Sequence, residues 1–150
     1  MSDFDASQFL ETVFTNPSET EIYPCPIGEY PAEISKLEPR AWKGKDDPSK
    51  AGVTLDIFWD IQDEDARKAC KKDKVLVKQS VMFSFLPGTT MIDMEKAEAD
   101  VNFGRLRAAL GLNDGQFAPS MLPGKMARVS VKHRENDGKI YAEVKAVTRY

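Results

Sequence analysis

From Gly28 onward apolar residues recur at every second position. This period of two constrains the chain more than any other feature, because it is what a strand with one buried face requires. Residues 52–62 show it most clearly: Val53, Leu55, Ile57, Trp59 and Ile61 point one way, and Thr54, Asp56, Phe58 and Asp60 the other. A first strand is predicted over about 28–37, with Tyr30, Ala32 and Ile34 on one face; Leu37 is out of phase, which places a bulge near Lys36. A third, over about 74–86, turns Val75, Val77, Val81, Phe83 and Phe85 inward and Lys78, Ser80, Met82 and Ser84 outward. Gln79 interrupts the inward series and needs a hydrogen-bond partner if buried. Strands over about 125–134 and 138–148 bury Ala127, Val129 and Val131, then Ile140, Ala142 and Val144. Between them, Asn136-Asp137-Gly138 reads as a type I′ hairpin turn, since Asp-Gly accepts the positive φ angles that turn demands.

Elsewhere the period changes. Ala99, Phe103, Leu106 and Leu110 recur at helical spacing, which predicts a helix over about 95–110 ended by Gly111 in the left-handed conformation. Residues 2–14 read as a short amphipathic helix with Phe4, Phe9, Leu10, Val13 and Phe14 on its apolar side, and a Pro-punctuated extended stretch follows at 23–28. Residues 63–72 read as a solvated helix with acids first and bases last, as the helix dipole prefers. The main order, strand-strand-strand-helix-strand-strand, predicts a mainly β protein: a five-stranded OB-fold barrel with one helix between strands 3 and 4 and a short N-terminal helix. A split sheet with a packed helix gives the same order. The domain expectation is an acidic arm over 1–27 and the barrel over 28–150.

With 150 residues, 41% of them hydrophobic, the chain is long enough to bury a core without covalent staples. Its net charge of −3 conceals an asymmetry. Asp3, Asp5, Glu11, Glu19, Glu21 and Glu29 face no Lys or Arg within residues 1–29, so that segment carries −6 and the remainder +3. Cys25 and Cys70 stand far apart, which excludes a C-x-x-C pair and suits two reduced thiols in a cytoplasmic protein. No apolar run is long enough for a bilayer, and no basic-then-apolar leader is read, so no membrane partner is expected. The one histidine, His133, has no serine or cysteine motif beside it, and no glycine-rich phosphate cradle occurs. Neither catalytic residues, metal nor cofactor is expected.

Binding signals are more specific. About fourteen residues are predicted to link the first two strands, and there Arg40, Lys43, Lys45 and Lys50 surround Trp42. That is the pairing of a single-strand binder, in which cations follow phosphates while an aromatic face stacks on a base. The competing reading folds Trp42 back onto the barrel. Lys36, Phe58, Lys78, Met82, Arg128, Lys132, Arg134, Tyr141 and Lys145 fall on the outer strand face. Phe58 and Tyr141 suit stacking platforms; as open alternatives they pair across strands or lie under the first helix. Asp56, Asp60, Asp63, Glu64 and Asp65 crowd one region, as the carboxylates of a Mg²⁺-dependent nuclease do, and Glu143-Val144-Lys145 resembles a nuclease E-x-K element, but no partner aspartate preceded by proline accompanies it. An oligosaccharide-binding barrel fits the cations poorly.

Four segments, Gly28-Glu29-Tyr30-Pro31-Ala32-Glu33-Ile34, Leu106-Arg107-Ala108-Ala109-Leu110-Gly111-Leu112, Leu122-Pro123-Gly124-Lys125 and Tyr141-Ala142-Glu143-Val144, give residues 28–148 a resemblance to phage-encoded single-stranded-DNA-binding proteins of replication and recombination modules. The resemblance implies a non-enzymatic OB-fold that coats single strands without sequence preference in the host cytoplasm. A structural phage protein is a further alternative. The chain departs from many such proteins in ending on Lys145, Arg149 and Tyr150 rather than an acidic tail. Expected partners are single-stranded DNA and, through the acidic arm, replication or recombination proteins, with self-association as a homo-oligomer left open. The arm's other readings are a cover over the basic face and a cap on one barrel end.

Overall fold

Inward-facing β-branched and aromatic residues draw the strands around one core. In a computed structural model, which describes residues 3–150, five strands form a closed barrel: β1 (Gly28–Lys43), β2 (Ala51–Ile61), β3 (Leu76–Ser84), β4 (Met126–Asn136) and β5 (Lys139–Thr148). Their order around the barrel is β1-β2-β3-β5-β4, and β4 returns to pair with β1. β3 and β5 run parallel through the single register pair Lys78–Glu143, while the other neighbours are antiparallel. Closure leaves no full-length edge for another chain to extend.

Ile34, Ile57, Trp59, Ile61, Val77 and Val129 form the centre of the core. The Trp59 indole donates to Gln79 Oε1 at 2.9 Å, which supplies the partner that the interrupted series in β3 calls for. The β1–β2 register shifts between Ile34 and Lys36, so a bulge at Ser35 returns Leu37 to the inner side. A second shift puts Lys145 in a bulge of β5. Asp137 and Gly138 have φ of 53° and 76°, as the tight β4–β5 turn demands.

Four α-helices accompany the barrel among the described residues: α1 (Ala6–Leu10), α2 (Glu64–Cys70), α3 (Met94–Ala99) and α4 (Val101–Ala109). None is long and apolar enough to cross a membrane. α2 is capped by Asp63 and, contrary to a fully solvated reading, buries Ala66 and Cys70 against the barrel. Together with Val75 and Cys25 these residues close the end of the barrel where Ile61 lies. At the other end Val53, Phe83 and Leu37 stay half-buried.

Several expectations are corrected. The helix over 95–110 is two helices, because Asp100 is extended (φ −74°, ψ 106°) and turns its carboxylate to the Phe103 N–H as the N-cap of α4. Ala99 is consequently exposed. The first helix spans Ala6–Leu10 and not 2–14, of which Ser2 lies outside the described residues, and its apolar residues touch no core. A five-residue helix without a packing surface has nothing to propagate it. Ile140 is exposed, since the β4–β5 hairpin runs past the end of the core. Just before β1, Cys25 is buried, and its carbonyl accepts a hydrogen bond from His133 Nε2 at 2.7 Å.

Candidate nucleic-acid interface

Strand register decides which outward side chains meet. Lys36 on β1 lies opposite Phe58 on β2, Phe58 opposite Lys78 on β3, Lys78 opposite Glu143 on β5, and Glu143 opposite Lys132 on β4. One belt of residues therefore crosses all five strands. Lys36 Nζ sits 4.7 Å from the centre of the Phe58 ring, and the Arg134 guanidinium 5.9 Å from that of Tyr141. Both aromatics thus stand beside a cation, the arrangement that ring quadrupoles favour.

Because β3 and β5 share one register pair, their seam opens into a cleft of about 380 Å³ flanked by the start of α4. Lys78, Met82, Lys132 and Lys145 converge on it, with Asn102, Asp100 and Glu143. Glu143 holds Lys132 at 3.2 Å and Arg134 at 3.6 Å, so Lys78, Lys132 and Arg134 are gathered at this seam with two acids, Glu143 and Asp100, before Lys145 is counted. The bulge at Lys145 turns that side chain outward into the cleft. Such partly exposed ion pairs hold little energy and exchange readily for a phosphate.

Beneath the belt lies a fixed anion. Asp56 faces outward but is only 4% exposed, because Arg40 covers it with a 2.7 Å ion pair and Ser80 donates to it at 2.6 Å. Burial works to raise its pKa; the hydrogen bonds from Arg40 and Ser80 prevail and hold it below the usual carboxylate range. Its pull in turn raises the Arg40 pKa, so the pair remains ionised. Ser80 is the polar contact that residue patterns missed, since nothing in an alternating strand marks a serine as the partner of a neighbouring strand's acid.

The long β1–β2 loop is a correction. β1 continues to Lys43 and β2 begins at Ala51, which leaves residues 44–50 as the connection. Trp42 lies on a strand, half-buried, and donates to the Phe83 carbonyl at 3.1 Å. Its ring occupies the space over Gly52, where an added Cβ would collide with the indole nitrogen and the Phe83 oxygen. The bulge at Ser35 prolongs the strand by restoring the phase of Leu37; sequence alternation broken there reads as a strand end. Lys43, Lys45 and Lys50 project around the shortened hairpin tip, exposed. Arg128 lies opposite Pro31 on the β1–β4 seam, outside the belt.

The clustered carboxylates do not converge. Asp56 is taken by Arg40 and Ser80, Asp60 lies 3.7 Å from Arg67, and Asp63 caps α2. No group of three metal-ligating side chains occurs among the described residues. No family model matches the chain, and no curated protein matches it at a significant level.

Proposed function

We propose that the barrel is an OB-fold that binds single-stranded DNA without sequence preference and keeps strands open during replication or recombination of phage DNA in the host cytoplasm. The strand order β1-β2-β3-β5-β4, with helices between β3 and β4, supports the fold reading. The observation that carries the function is the meeting of Lys78, Met82, Lys132 and Lys145 in one cleft beside the Lys36–Phe58 pair. Lysines there track the phosphates, and Phe58, Met82 and Tyr141 offer apolar surface to the bases. Arg40 and Arg134 carry charge along the flanks, and Lys43, Lys45, Lys50 and Trp42 extend the track toward the hairpin tip. Arg128 contributes at long range. The reading is non-catalytic; Asp56, Asp60 and Asp63, which a Mg²⁺-dependent nuclease would need to converge, are committed to separate contacts.

Binding of oligo-dT in a gel shift, with a duplex control, tests the reading. A single-strand complex is expected at low salt, weakening as salt rises because neutralised phosphates release counterions, with a log–log slope of about −0.7 per phosphate contact. Failure to form that complex at low salt defeats the proposal. Phe58→Ala is expected to weaken binding by about 1–3 kcal/mol, and unchanged affinity would return Phe58 to a purely cross-strand role.

A further inference from the structure

We propose that the arm of one copy docks, through Phe9, Leu10, Val13 and Phe14, in an apolar groove at the open end of a second copy's barrel. The groove lies between the far halves of β1 and β2 and the α3–α4 pair, and has a volume of about 600 Å³. Leu37, Val53, Phe83, Met94, Phe103 and Phe117 line it. Its size falls within the range of about 300–1,000 Å³ in which concave sites enclose apolar groups. Met94 on its wall and Met91 nearby are 64% and 65% exposed, and flexible thioethers adapt well to an incoming apolar face.

The arm carries such a face. Phe9, Leu10, Val13 and Phe14 have the spacing that brings side chains to one side of a helix, yet all four are exposed, Phe14 at 77%. α1 already begins this helix with Asp5 as its N-cap and stops at Leu10. A groove would supply the packing that lets it continue, and an amphipathic helix laid in an apolar groove is a general mode of recognition.

One cation of the groove suits the arm. Arg107 lies over the Phe103 and Phe117 rings, at 5.7 and 4.7 Å, and bonds to the Leu112 and Gly115 carbonyls, with no ion pair among the described residues. Asp3 and Glu11 flank the arm's apolar residues and offer it carboxylates. Glu98 also lines the groove and repels those acids, so the favourable contact is confined to Arg107. The root of the arm is pinned at the opposite, closed end of the barrel, by the buried Cys25, by His133, and by Glu19 at 3.5 Å from Lys71. The groove that the arm meets is therefore a neighbour's, and reciprocal exchange closes two copies into a pair.

Sedimentation of the full chain over a concentration series, without DNA, tests this independently of the DNA-binding reading. The wild type is expected to associate as concentration rises. Phe9→Asp/Phe14→Asp in the arm and Met94→Lys/Ala97→Lys in the groove wall are each expected to remain monomeric with unchanged circular dichroism. Mixing the two variants should restore association, because one then supplies an intact groove and the other an intact arm. A wild type that stays monomeric, an arm variant that still associates, or a folded mixture that does not would each overturn the proposal. A groove variant with altered circular dichroism would be replaced by Met94→Glu alone, judged by the same outcomes.

Discussion

The two ends of the barrel are built from the same strands and finish differently. At one, Ile61, Val75, Ala66, Cys70 and Cys25 are buried beneath α2. At the other, Val53, Phe83 and Leu37 are half-buried around an open groove. The difference follows from the helices. α2 follows β2 directly and turns a small residue, Ala66, and Cys70 onto the core, so it seats closely. The break at Asp100 leaves α4 to bury Phe103 and Leu106 while α3 buries nothing, so the aromatic trio Phe83–Phe103–Phe117 bridges a gap that it does not fill. One end is thus a finished core, and the other is left as an open apolar groove.

Substitutions can break this contrast, and the largest effect is expected near the closed end. Trp59→Ala should cost about 3–5 kcal/mol in denaturant unfolding, because it opens a cavity and strips Gln79 of its donor. A paired measurement sharpens the comparison: Ile61→Ala should cost about 2–5 kcal/mol, and Val53→Ala at the open end distinctly less, since a half-exposed side chain loses less contact. Equal costs would mean that the open end is as tightly packed as the closed one.

Thiol chemistry reports on the closed end alone. Burial, reinforced by the neighbouring Cys70, pushes the Cys25 thiol up to about 12, and burial raises Cys70 as well. Since the thiolate is the reactive form, neither should be alkylated in the native protein at neutral pH, and both should react in denaturant. Labelling under native conditions would show that α2 opens. The smallest expected effect is in acid. Asp56 has a depressed pKa when folded, so its contribution is complete above the usual carboxylate range and disappears as pH falls through the folded value. Asp56→Asn should flatten this part of the pH–stability curve, measured by thermal unfolding.

Much of the fold was legible because alternation is local. The inward faces of β2 and β4, the bulge beside Lys36, the need of Gln79 for a partner and the Asp137-Gly138 turn all rest on what a strand's period or a turn's φ angles impose. The candidate site was legible residue by residue but not as a place. Lys78, Lys132 and Lys145 read simply as outward; their meeting depends on the parallel β3–β5 seam, which joins residues far apart in the chain. Trp42 was misplaced for the same reason, since its partner, the Phe83 carbonyl, lies two strands away.

By itself, then, the sequence determined the strands, their buried faces, the tight turns and the separation of an acidic arm from a mildly basic body, for these follow from spacing and charge along a few neighbouring residues. Tertiary structure alone decided that Arg40 and Ser80 bury Asp56, that the helical segment divides at Asp100, that one barrel end closes while the other stays open, and that the arm's aromatics find no place on their own barrel. Each of these depends on which distant surfaces fit together, and no local period carries that information.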